Sequence, residues 1–131
     1  MITLKEIEDH ARTEASRRGF RSVGIYHLLW SVHKLQPDAM YALLDQYQVE
    51  KDPFIKMLEN TLRPRRAGGG IPRDRLDASL AEDALERAEK LDDQPEAAHL
   101  LQILPELDED PIASLCDRFA LSFTPLKTGT G

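Results

Sequence analysis

The feature that most constrains this chain is an internal echo: His27-Leu28-Leu29 returns as His99-Leu100-Leu101, 72 residues later. At the same shift Asp38 meets Asp110, Leu43 meets Leu115, Asp45 meets Asp117, Tyr47 meets Phe119 and Val49 meets Leu121. Asp52-Pro53 then meets Thr124-Pro125, so a capping residue followed by proline returns, not hydrophobicity alone. The preceding segments align at a shift of 73, which places Ile7 on Leu80, Ala11 on Ala84 and Ala15 on Ala88. One residue is thus missing from the second copy's first turn, where Gly19–Val23 becomes Asp92–Pro95. A register held over this length marks a structural repeat. The 131 residues read as one domain, with a first unit over 3–62, a linker over 63–73 and a second unit over 74–127.

Each unit reads as helical. Thr3 followed by Glu6 is a capping box, and Leu4, Ile7, Ala11 and Ala15 form one face of a helix over about Leu4–Arg18. Arg17 and Arg18 suit its C-terminal dipole, and Gly19 suits a left-handed C′ position. A second helix runs from Gly24 or Ile25 to about Leu35, with Ser22 a potential cap. Ile25, Leu28, Leu29 and Val32 make its apolar face broad enough for a buried central helix. Pro37 opens a third helix, with Met40, Leu43, Leu44 and Tyr47 inward. Asp52-Pro53 reads as N-cap and N1 of a fourth, from Phe54 to about Leu62.

The linker holds three glycines and two prolines between Arg63 and Pro72. Leu76, Leu80, Ala84, Ala88 and Leu91 then share one stripe of a fifth helix. Glu96–Leu104 gives a sixth and Pro111 to about Leu121 a seventh. No segment alternates at period two, so the expected fold class is all-α without a sheet, two tandem four-helix repeats about a pseudo-twofold axis. Thr124-Pro125 would open an eighth helix just before the sequence ends at Gly131, so a short last helix or a chain cut from a longer protein is expected.

Several function classes are excluded on composition. A net charge of −6 disfavours general attraction to nucleic acid or acidic membranes. No apolar run approaches the ~20 residues that span a bilayer, and the N-terminus lacks a signal-peptide core. One cysteine excludes an internal disulfide and points to the cytoplasm. Cys116 aligns with Leu44, which gives it a buried hydrophobic role. Lys127-Thr128 lacks the glycine loop of a nucleotide site, and Gly68-Gly69-Gly70 lacks the strand of a dinucleotide fold. His27 and His33 are six apart, off a common helical face, and no second cysteine completes a zinc set. No metal, cofactor or catalytic residue is therefore expected. The acids Asp92-Asp93 and Asp108-Glu109-Asp110 lack the spacing of a calcium loop and read as turns and caps. Arg63, Arg65, Arg66, Arg73 and Arg75 read as a soluble linker rather than a nucleic-acid surface.

With helix, turn and repeat in place, the chain resembles the Clp N-terminal repeat domain. The resemblance is carried by Gly19-Phe-Arg-Ser-Val-Gly-Ile-Tyr-His-Leu-Leu29 and by Ala42-Leu-Leu-Asp-Gln-Tyr-Gln-Val49, with His-Leu-Leu again at 99–101. The family's turn usually reads Gly-His-x-x-Val-Gly-Thr-Glu-His-Leu-Leu. The resemblance implies an all-helical pseudo-twofold domain at the front of ATP-driven Clp-type unfoldases, where it receives substrates and adaptor proteins. It implies a monomeric segment of a ring-forming parent, non-catalytic and without a cofactor. The alternative is a freestanding interaction regulator without an ATPase. This chain departs from the family at Ile25-Tyr26 and Ala97-Ala98, where the family has Thr-Glu, and at Glu96, where it has glycine. Some members use those glutamates to recognise phosphorylated arginine, and this chain lacks both.

His27 and His99 are expected to be structural, a ring nitrogen bonding a backbone group of the turn. The candidate peptide- or adaptor-binding residues, in a hydrophobic groove between the units, are Phe20, Tyr26, Trp30, Leu91 and Ala98. For Tyr26 packing and binding remain open. Tyr26 against Ala98 and Trp30 against Gln102 are the differences between copies that would set partner choice.

Overall fold

A computed structural model describes residues 3–63, 72 and 75–103. They form six helices: α1 Leu4–Arg17, α2 Ile25–Leu35, α3 Pro37–Gln46, α4 Lys51–Thr61, α5 Ser79–Glu89 and α6 Ala97–Ile103. The fold is all-α. The expected seventh and eighth helices, Cys116 and most of the linker lie outside the described residues.

Local chemistry accounts for the helix ends. Thr3 Oγ1 accepts from the Glu6 amide while Glu6 Oε2 accepts from the Thr3 amide, each at 3.2 Å, closing the predicted capping box. At the other end Gly19 takes φ 78°, and the Phe20 amide donates to the Ala15 carbonyl while the Gly19 amide donates to Ser16. That is a complete Schellman ending. Helix α3 ends the same way, with the Val49 amide on Leu44 and the Gln48 amide on Asp45, but its left-handed residue is Gln48, φ 57°. A β-carbon is strained there, a cost glycine avoids.

Three boundaries differ from the sequence reading. Helix α4 starts at Lys51 with Glu50 as N-cap, so Asp52 is not the cap and Pro53 stands at N3. Proline fits because the first amides of a helix have no intrahelical partner; the first such bond here is Phe54 N–H to the Glu50 carbonyl. Ser22 does not cap α2, whose N-cap is Gly24. Leu76 falls before α5, because Asp77 Oδ1 accepts from both the amide and the hydroxyl of Ser79 and fixes the start there, and Leu91 falls after it, where the Lys90 and Leu91 amides donate to Arg87 and Ala88 in a tightened last turn. The buried face of α5 is Ala81, Ala84, Leu85 and Ala88.

The core is one cluster that draws on all six helices. Leu4, Ile7, Ala11 and Ala15 of α1 are buried, as the spacing requires, together with Leu28, Leu29 and Val32 of α2 and Leu100, Leu101 and Ile103 of α6. Full burial of each large aliphatic side chain contributes about 1.5–3 kcal/mol. Helix α1 packs on α2, α2 on α3 and α4, and α5 on α6; α1 also meets α5 and α6, α2 meets α5, and α3 meets α6. Ala11 and Ala15 of α1 and Ala81, Ala84 and Ala88 of α5 are all buried, small side chains that suit close packing of the two contacting helices. A parallel bridge at Ser22 and Asp77 ties the turn before α2 to the entry of α5. Val23 N–H donates to the Asp77 carbonyl and Asp77 N–H to the Arg21 carbonyl, both at 3.0 Å.

Candidate functional site

The turn that opens α2 is built on an imidazole. Nδ1 of His27 accepts from the Gly24 amide at 2.9 Å, satisfying a donor that the helix start leaves open. Nδ1 of His99 accepts from the Glu96 amide at 2.9 Å, so the same bond opens α6. Gly24 has φ −99°, and an added Cβ would stand 3.7 Å from the His27 ring, an ordinary contact. The turn therefore uses only the backbone of that residue, and Glu96 supplies the same amide before α6. His27 is buried and meets Phe20 edge to face at 4.6 Å. His99 is more exposed, with its Nε2 3.6 Å from Asp92 Oδ2. Asp92 Oδ1 also accepts from the Gln94 amide, so this acid shapes the turn before α6.

The five candidate contact residues are not gathered in one place. Phe20 and Tyr26 are half-buried against the core beside the α2 turn. Trp30 is only 5% exposed. Its indole Nε1 donates to Glu14 Oε1 at 3.3 Å, with the Arg18 guanidinium 5.5 Å and the Lys34 ammonium 4.7 Å from the ring centroid. Leu91 is exposed, 44%, in the turn after α5. Ala98 is exposed on α6 and lines a cleft of about 350 Å³ between α3 and α6, with Ala39, Ala42, Leu43, Gln46, Leu101 and Gln102. Leu43, expected inward, is partly buried against the core and also lines this cleft, which the sequence did not disclose because it depends on α3 meeting α6.

Glu14 was also missed, although it continues the Leu4, Ile7, Ala11 stripe by three residues. It is 8% exposed and bonded by Arg17 Nη2 at 2.7 Å, with Arg18 Nε at 3.6 Å. Burial opposes its ionisation, but Arg17, Arg18, the Trp30 N–H and His10 together outweigh it and hold the carboxyl below its ordinary range. Arg18 Nη1 donates to the Leu62 carbonyl at 2.8 Å, tying α1 to the end of α4. His10 Nδ1 meets the buried Ser31 hydroxyl at 2.8 Å, joining α1 to α2. His33 packs between Trp30 and Tyr41, at 5.5 and 5.8 Å. Burial, then Lys34, lowers its pKa. The histidines thus serve caps and packing, and among the described residues no cluster of histidine, cysteine and carboxylates could hold a metal ion. No described helix is long and apolar enough to cross a membrane.

No family model matches the chain, and no curated protein matches it. A solved structure described as preliminary structural investigations of a malarial protein secretion system is similar to it in fold. The two are 17% identical with a TM-score of 0.63, over 88% of this chain and 80% of that one. At this identity the likeness concerns the fold alone.

Proposed function

We propose that this chain is a non-catalytic protein-binding module of the Clp N-terminal type. Its cleft would receive an extended apolar segment of a substrate or adaptor protein. The module would stand ahead of an ATP-driven unfoldase ring in the cytoplasm. The observation that carries the reading is the α3–α6 cleft. It lies between α3 and α6 and is walled by small and apolar side chains, with Gln46 and Gln102 as polar groups able to bond a peptide backbone. Two features support the repeat behind it. The histidine cap recurs with the same atoms and the same length. Exchanging α1 with α5 and α2 with α6 turns the α1–α6 contact into the α5–α2 contact, and both are present. Binding at one cleft would be modest, and a ring of such modules would raise it by avidity.

Ala98→Arg tests the reading, because the site is exposed and tolerates a long side chain without touching the core. Isothermal titration with an uncharged Leu/Phe-rich peptide should show affinity falling about tenfold or more. The melting temperature should stay unchanged. Equal binding by the variant would remove the cleft as the site.

A further inference from the structure

The charges around the α3–α6 cleft are all of one sign. Residues 35–50 and 91–103 carry α3, α6 and the turns beside them. They hold Asp38, Asp45, Glu50, Asp92, Asp93 and Glu96 and no lysine or arginine, in a chain with 17 of these. All six acids are exposed. Two of them flank the cleft: Ala42 lines it, and Asp38 and Asp45 stand four residues before and three residues after Ala42 on one stripe of α3. That spacing is two helical turns, ~10 Å along the axis. Among the described residues no ion pair engages either carboxylate, whereas Glu8, Glu14, Glu82, Asp83 and Glu86 of α1 and α5 each meet an arginine or a lysine. Asp45 lies in the last turn of α3, where the helix dipole disfavours an acid and no basic residue offsets it. The cations that bracket these segments are held elsewhere, Lys34 over the Trp30 ring and Lys51 over the Tyr41 ring, each at 4.7 Å, and Lys90 by Glu86. Lys51 shares a shallow hollow with Asp45 but does not pair with it. His99 on α6 has Nδ1 on the Glu96 amide and Nε2 beside Asp92.

We propose that the cleft selects a basic apolar peptide segment of a partner protein, with leucine or phenylalanine side chains in the cleft and lysine or arginine on Asp38 and Asp45. This rests on the reading of the α3–α6 cleft as the binding site and names the class of segment it takes. In an extended Lys-Leu-Phe-Leu-Lys segment the two end residues stand ~13 Å apart on one face, and the flexible lysine stems absorb the difference from the carboxylate spacing. Both carboxylates stay in water, so the pairs set selectivity and encounter rate more than affinity.

The test titrates the full chain with three end-blocked peptides, Lys-Leu-Phe-Leu-Lys, Gln-Leu-Phe-Leu-Gln and Glu-Leu-Phe-Leu-Glu, in a calorimeter. At a salt concentration of about 0.05 M the lysine peptide should bind about three- to tenfold tighter than the glutamine peptide, and the glutamate peptide weakest. The spread should narrow at about 0.3 M salt. In Asp38→Asn/Asp45→Asn, two near-isosteric changes at exposed positions, the ratio of lysine- to glutamine-peptide affinity should fall to about one. Glu59→Gln/Glu89→Gln makes the same change in net charge on α4 and α5 and should keep the ratio. Equal binding of the lysine and glutamine peptides, a ratio undiminished in Asp38→Asn/Asp45→Asn, or a ratio lost equally in Glu59→Gln/Glu89→Gln overturns the proposal. So does lysine-peptide binding that persists in Ala98→Arg, which places it off the cleft. If the glutamine peptide binds and is lost in Ala98→Arg while the lysine peptide is no tighter, the charge selection is refuted and the module reading stands. If no peptide binds, both fall.

Discussion

Replacing Glu14 probes the least expected part of the core. Its carboxylate is 8% exposed and holds three groups: the Trp30 indole N–H, Arg17 and Arg18. Arg17 is 70% exposed on its side chain, so that pair contributes little. Arg18 is 14% exposed, and without Glu14 its charge and the indole N–H would lose their acceptor inside the fold. Removing one partner of a buried pair costs about 3–5 kcal/mol. With one arginine near solvent, the low end applies, so Glu14→Ala should cost about 3 kcal/mol. Glu14→Gln keeps an acceptor for the indole and loses only the charge, about 1–2 kcal/mol. In a domain of this size 1 kcal/mol moves the melting temperature by about 3–5 °C, so the two variants should separate clearly in calorimetry. A double-mutant cycle with Trp30→Phe should give a coupling of about 0.5–1.5 kcal/mol. If Glu14→Ala and Glu14→Gln cost the same, or either costs under about 0.5 kcal/mol, the carboxylate is not holding α1 to α2 and the reasoning fails.

Acidity should act through two groups in different windows. His33 has a folded pKa below its ordinary 6.5, because burial and then Lys34 disfavour its charged form. The unfolded chain then binds the proton first, so stability should decline as pH drops through 6.5 toward the folded value, and His33→Phe should flatten that slope in urea titrations. Glu14 is held below 4.5, so its contribution should be intact above 4.5 and fall away as pH drops toward its folded value, a loss absent in Glu14→Gln. Gln48→Gly should raise stability by about 0.5–1 kcal/mol in chemical denaturation, by relieving the left-handed residue after α3. His27→Ala should cost about 2–3 kcal/mol and His99→Ala about 1 kcal/mol, since both lose a cap but only His27 is fully buried against Phe20. Equal losses would mean the cap alone counts.

The helices were legible because each end is local chemistry. Thr3–Glu6, Gly19 and Pro37 carry their signals within one turn of chain. Legibility weakened where two signals competed. Asp52-Pro53 resembles a cap and N1, but a helix start tolerates proline at N3 equally well, and the boundary fell earlier. Leu91 fits the α5 period yet lies past the helix end, so periodicity alone extended the stripe too far. Glu14 was passed over because a charge on an apolar stripe is burdensome unless cations and an indole are near, and those lie in the next turn and in α2. Of the candidate contact residues only Ala98 lines the cleft, since the cleft depends on α3 meeting α6, information that no single segment carries.

The central claim is that peptides bind where α3 meets α6. Amide chemical-shift mapping with the uncharged Leu/Phe-rich peptide tests it most directly. The account predicts saturable shifts confined to Ala39–Gln46 and Ala98–Gln102, absent in Ala98→Arg. Shifts spread evenly over the domain, or a cluster elsewhere that persists in that variant, would contradict it.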